Sequence, residues 1–138
     1  MKKVLIAEGD EIFRRVIDVV FMNEELEIIF AQNGSQAMEI ALSEAPDIVV
    51  TELKLPEMNG IELMERLKSE EVTSGIPVIV MSSNEDDSHH HMSISSGAHA
   101  YIVKPFSPMR FLAHLDMAMK EREEDSGFET AQQEHEES

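Results

Sequence analysis

Three kinds of side chain stand where this sequence can do chemistry. They are the carboxylates of Glu8, Asp10 and Glu52, the hydroxyls of Ser82 and Ser83, and the ammonium of Lys104 beside Pro105. Facing carboxylates would hold a hard cation such as Mg²⁺ through oxygen ligands. A lysine and a serine close by would hold a phosphoryl group or a carboxylate. Taken singly, each has a plainer reading: Glu8 as a loop charge, Ser82 as a helix cap, Lys104 as a solvated lysine. Position is what joins them. Each comes at or just after the end of a short apolar run, respectively Val4-Leu5-Ile6-Ala7, Ile48-Val49-Val50, Pro77-Val78-Ile79-Val80-Met81 and residues 100–103.

Those runs read as buried strands, because an unbroken apolar stretch suits a sheet covered on both faces. A further strand over residues 26–31 is less uniformly apolar and falls nearer an edge. Between the strands lie segments of helical period. Ile12, Phe13, Val16, Ile17, Val20 and Phe21 recur at three and four residues. After the turn signal Asn33-Gly34, Ser35 is placed to cap a helix carrying Ala37, Met38, Ala41 and Leu42. Ile61, Leu63, Met64 and Leu67 mark a third helix, and residues 84–96 a weak fourth that closes at Gly97. Phe111, Leu112, Leu115, Met117 and Ala118 mark a fifth, with Pro108 in its first turn. Five strand–helix pairs at this spacing predict an α/β fold, a doubly wound parallel sheet with helices on both faces. In such folds the carboxyl ends of the strands converge on one crevice.

Composition excludes several functions. At 138 residues the chain suits one domain with its own core. No apolar run reaches the ~18 residues of a membrane span, and Glu8 interrupts the run after Lys2 and Lys3 too early for a secretory signal. With no cysteine there are no disulfides or thiolate metal sites. Cytoplasm is the default location. The net charge is -17, of which the segment from Glu121 onward holds -7. So acidic a surface repels nucleic-acid phosphates, which argues against direct nucleic-acid binding.

Taken in order, these segments resemble the receiver domain of response regulators over roughly residues 2–120. Val4-Leu5-Ile6-Ala7-Glu8-Gly9-Asp10-Glu11 matches the family's first strand and acidic pair, and Leu55-Pro56-Glu57-Met58-Asn59-Gly60 the loop after its phosphoacceptor. Gly97-Ala98-His99-Ala100-Tyr101-Ile102-Val103-Lys104-Pro105-Phe106 matches the closing block. The resemblance implies a five-stranded, flavodoxin-like sheet of order 2-1-3-4-5. It places Glu52 at the phosphoacceptor position, Ser82 and Tyr101 at the switch positions, and Lys104 at the pocket lysine. It also implies a cis Lys104–Pro105 bond. Partners implied are a histidine kinase or a downstream signalling protein. The chain would be a monomer, or a weak homodimer through the face of the fourth helix, fifth strand and fifth helix.

Two departures bear on the chemistry. Gly9 stands where the family has a metal-binding acid, leaving Glu8 and Glu52 as weak metal ligands and Asp10 as a neighbour in the acidic pocket. Successive strand residues point opposite ways, so Asp10 is poorly placed to substitute. Glu52 also carries its carboxylate about one bond further than aspartate would, and misplacing a nucleophile by ~1 Å costs on the order of 10²-fold in rate. The reading is therefore a degenerate receiver, not an enzyme, with a weakened Mg²⁺ site and output through protein association. One alternative is a Mg²⁺-dependent phosphatase-like enzyme, for which Glu8 and Asp10 have the spacing but not the nucleophile. Others are a phosphorylation-competent receiver using a neighbouring acid, or a structural scaffold.

His89, His90 and His91 read as solvated helix-start residues, since consecutive helix positions point ~100° apart and do not converge on one ion. The fourth helix has only Met92 and Ile94 as large apolar residues and is expected to be short or mobile. The domain is taken as residues 1–122. Residues 123–138 are taken as an acidic tail, disordered or a fraying helical extension, with no output domain following.

Overall fold

In the computed structural model, residues 1–83 and 87–137 are described, with backbone alone for 87, 88 and 124–137. Five strands alternate with five helices: β1 (Lys2–Ala7), α1 (Glu11–Val20), β2 (Leu26–Ala31), α2 (Gly34–Glu44), β3 (Ile48–Glu52), α3 (Gly60–Ser69), β4 (Val78–Ser82), α4 (Asp87–Ser95), β5 (Ala100–Val103) and α5 (Pro108–Glu137). The strands form one parallel sheet of order β2-β1-β3-β4-β5. This is the doubly wound arrangement expected, with β2 at an edge.

The unbroken apolar runs are explained by two cores, one on each face. Alternate strand residues point to opposite sides. Leu5, Val49, Val78 and Val80 pack against Ala37 and Ala41 of α2 and Leu63, Met64 and Leu67 of α3. Val4, Ile6, Ile48, Val50, Ile79 and Met81 pack against Ile17 of α1 and against Phe111, Leu115 and Ala118 of α5. β3 and β4 are buried along their whole length.

Helix starts follow local side-chain chemistry. Asp10, Asn33 and Asn59 cap α1, α2 and α3, each accepting a backbone N–H of the first turn. Asn33, not Ser35, therefore caps α2; Ser35 already lies inside the helix.

Helix faces depart further from expectation. On α1, Ile17 and Phe21 are buried, but Ile12, Val16 and Val20 are exposed. The apolar arc of that helix is wider than the sheet can cover. On α5, Met119 is buried and Met117 is exposed. In α4, Ser93 turns inward and is fully buried, while Met92 and Ile94 face solvent. The first residues of the helix expected over 84–96, 84–86, lie outside the described residues. Gly97, with φ +107°, follows α4 in the left-handed region that glycine tolerates. The backbone of α5 continues as helix to Glu137.

Candidate functional site

Sheet register assembles the site. Ala7 pairs with Thr51, so Glu8 and Glu52 follow as neighbours one step beyond. Ser82 pairs with Val103, so Lys104 emerges beside them, and its N–H donates to the Ser82 carbonyl at 2.8 Å. A parallel sheet with these crossovers cannot place them apart.

Lys104 lies between the two acids. Its Nζ donates to Glu8 Oε2 at 2.6 Å and sits 2.7 Å from Glu52 Oε2. The second contact is an ion pair, and Glu52 Oε2 is buried with no other donor beside it. Glu8 and Glu52 are only 4% and 8% exposed. Glu8 is held further by Asp10 N–H, which donates to its Oε1 at 3.0 Å, and Arg14 Nη1 donates to its carbonyl at 2.6 Å.

Burial pushes the Glu52 carboxyl above the usual range; Lys104 opposes that shift, and Glu8 adds to it. Burial also tends to lower Lys104, but hydrogen bonding and charge attraction from Glu52 and Glu8 outweigh it and leave the ammonium raised. The acids hold the lysine protonated. One of them is itself reluctant to ionise.

The backbone around Glu52 is close-packed. A Cβ on Gly60 would lie 2.5 Å from the Glu52 carbonyl oxygen, so only glycine lets α3 begin this near the end of β3. At Gly9 there is room: a Cβ would meet Gln32 O at 3.6 Å and Pro56 Cδ at 3.9 Å.

The structure thus joins Glu8, Glu52 and Lys104 directly, with Ser82 buried on the adjacent strand end. Asp10 is not in that group. It is exposed, and its Oδ1 accepts from Ile12 N–H at 2.9 Å and Phe13 N–H at 3.3 Å. Capping α1 engages one of the two carboxylate oxygens of Asp10. Tyr101 lies partly buried on β5, stacked on His90 at 5.1 Å and 11°. His90 is exposed, as expected of a solvated helix-start residue, and one face of its ring stacks on Tyr101. The Lys104–Pro105 peptide is cis.

Phe13 was read only as a core residue of α1, yet Lys104 Nζ lies 4.0 Å from its ring centroid. A cation over an aromatic face is an attractive contact. The ring belongs to a series: Phe13 meets Phe106 edge-on at 6.1 Å, Phe106 stacks on Phe111 at 5.3 Å, and Phe111 meets Phe21 at 5.4 Å. The available signal was a phenylalanine one turn after the acidic loop.

A doubly wound sheet with acids, a serine and a lysine at its carboxyl edge defines a signalling receiver module. Residues 4–116 match the response regulator receiver domain, and the chain belongs to that family. It is thus a receiver domain of two-component signalling. It is 32% identical over 119 residues to the phosphate regulon transcriptional regulatory protein PhoB of Pseudomonas aeruginosa, covering 86% of this chain and 52% of that protein. It is 34% identical over 105 residues to the two-component response regulator-like PRR37 of Oryza sativa subsp. indica, covering 75% of this chain and 14% of that protein. The chain thus spans about half the length of PhoB. In fold it is similar to a CheY-like receiver domain from Methanospirillum hungatei, with TM-score 0.83 and 24% identity over 91% of this chain and 98% of that one.

Receivers of this family use Mg²⁺ at the pocket. Among the described residues no cluster of three or more His, Asp or Glu side chains is placed to hold a metal ion. The donors arranged here do not fit one well, because the two carboxylates are bridged by an ammonium. Among the described residues, no helix is long and apolar enough to cross a membrane.

Proposed function

We propose that this domain is a degenerate receiver that signals by protein association, without phosphotransfer at Glu52 and without catalysis of its own. The observation that carries the reading is the lysine already engaged by two carboxylates, at 2.6 and 2.7 Å. In a phosphorylated receiver the lysine pairs with an acceptor phosphate; here the longer Glu52 carboxylate takes that place. Glu52 stands as the phosphoacceptor equivalent, Glu8 and Asp10 as the acidic loop, Lys104 as the pairing cation, and Ser82 and Tyr101 as switch residues. Gly9, and an exposed Asp10 that caps α1, support weakened Mg²⁺ binding through Glu8 and Glu52 alone. The partner is a histidine kinase or a downstream signalling protein that meets the α4–β5–α5 face, where Met92, Ile94 and Met117 are exposed. Its setting is the cytoplasm. The acidic surface disfavours nucleic acid.

Incubation with a radiolabelled small phosphodonor and Mg²⁺ tests this. The parent chain should take up no stoichiometric label. The Gly9→Asp/Glu52→Asp pair should gain hydroxylamine-labile label, since position 9 has room for a side chain. Stoichiometric hydroxylamine-labile label on Glu52 of the parent would overturn the reading.

A further inference from the structure

The pocket lysine is held by more than the two acids. Lys104 Nζ lies 2.6 Å from Glu8 Oε2, 2.7 Å from Glu52 Oε2 and 4.0 Å from the centre of the Phe13 ring. An ammonium has N–H groups to donate and no lone pair. Here two oxygens and one aromatic face surround it. The ring is fixed in its turn. Phe106 meets Phe13 edge-on and stacks on Phe111, which is fully buried and packs against Phe21. Lysine and seat are thus linked twice: the chain joins Lys104 to Phe106 through Pro105, and Phe106 props Phe13.

We propose that Phe13 determines which cation holds this pocket: its ring face seats the Lys104 ammonium between Glu8 and Glu52 and so keeps a divalent metal out. The two cations ask different things of their surroundings. Mg²⁺ takes oxygens in near-octahedral geometry at about 2.1 Å and gives up water reluctantly. A ring face offers no oxygen. Lys104 is largely buried, and an ammonium stripped of water gains from the negative face of a ring.

Gly9 adds to the bias. An added Cβ there meets nothing closer than 3.6 Å, so the third carboxylate is missing for want of the residue and not of space. The loss of that acid alone would give weak metal binding. A seated ammonium gives more: the pocket is filled from within, and its charge balance does not follow the Mg²⁺ concentration around it. The selecting residue lies on α1, outside the acidic loop. This rests on the reading above only in taking Glu8 and Glu52 as the acids of the pocket.

A Mg²⁺ titration of the full chain, followed by NMR at the Lys104 ε-methylene protons, tests this. A ring face so close shifts those protons upfield. In the parent they should keep that shift up to about 10 mM MgCl₂, a range that detects any site of millimolar affinity. Gly9→Asp supplies a third carboxylate and brings Mg²⁺ binding into range. On that background Phe13→Leu should tighten Mg²⁺ at least ~10-fold, the change that loss of a contact worth ~1.4 kcal/mol gives. Phe13→Tyr keeps a ring face and should bind Mg²⁺ as the Gly9→Asp chain does. Phe106→Leu disturbs the same packing but leaves the ring at Lys104, and should change the affinity far less. Parent Lys104 protons that lose their shift within the titration overturn the proposal. So does a Mg²⁺ affinity equal with and without Phe13→Leu, or a Phe106→Leu effect as large as that of Phe13→Leu. Phosphate uptake by the parent would overturn the degenerate reading and leave this comparison standing.

Discussion

Lysine–glutamate pairs stand at both ends of this sheet, and they differ in physics although they share chemistry. At the carboxyl end Lys104 binds Glu8 and Glu52, with side chains 18%, 5% and 11% exposed. At the amino end Lys2 pairs with Glu123 and Lys3 with Glu44, with side chains from 35% to 61% exposed. Arg122 there donates to the Pro46 and Asp47 carbonyls at 3.4 and 3.2 Å, tying α5 to the start of β3. Exposed pairs are screened by water and salt and hold little free energy. Buried pairs interact strongly, yet each ion has lost its hydration. Burial, not residue type, makes one end a coupled site and the other a rim.

The sharpest way to break the comparison is to remove the central cation. Lys104→Ala leaves Glu8 and Glu52 facing each other with no counter-ion. It should cost about 3 kcal/mol at neutral pH, the low end for breaking a buried pair because Lys104 is partly solvated. Part of the loss should return on acidification, as one carboxyl takes up a proton. Urea denaturation at pH 7 and pH 5 reads both effects. A loss no larger than that of an exposed pair would make the two ends alike.

Backbone packing gives the next contrast, with one glycine near each end. Gly60→Ala drives a methyl group to 2.5 Å from the Glu52 carbonyl oxygen, an atom with no freedom to move. It should destabilise by about 1–3 kcal/mol, the cost of overpacking. Gly75, before β4, has nothing within 4 Å of an added Cβ. Gly75→Ala should be neutral or stabilise by up to about 1 kcal/mol through the unfolded chain. Equal effects on the urea midpoint would argue that the carboxyl end is no more tightly built than the rim.

These contrasts bear on what the sequence makes legible. The sheet and its order were readable because continuous apolar runs fit only a doubly covered parallel sheet, and the closing block carried the family pattern. The meeting of Glu8, Glu52 and Lys104 was readable because strand ends fix it through register alone. Asp10 was harder: an aspartate after a strand suits a pocket or a helix cap equally, and only the helix direction shows that capping wins. Phe13 beneath Lys104 needed the angle of α1 over the sheet, which periodicity does not contain. The inward turn of Ser93, with Oγ unpartnered while Met92 and Ile94 face outward, runs against hydrophobic patterning. A short helix of weak pattern takes its rotation from its neighbours, not from its own residues.

The smallest effect expected separates the ends by pH. Burial raises the folded-state pKa of Glu52 above its ordinary 4.5, so its ionisation costs more in the folded chain than in the unfolded one. The stability this group contributes is complete below about 4.5 and is lost as pH rises through the raised value. Glu52→Gln removes that dependence, because the amide stays neutral throughout. The variant should therefore gain on the parent as pH rises from about 4.5 and level off once the raised value is passed, as read from urea midpoints at four pH values. Glu123→Gln at the rim removes only an exposed pair with Lys2 and should change the stability read from the urea midpoint at pH 7 by no more than about 1 kcal/mol. If the Glu52→Gln difference is flat, or runs the other way, Lys104 outweighs burial at Glu52. The oversized acid then sits as comfortably in its pocket as a surface glutamate does in water.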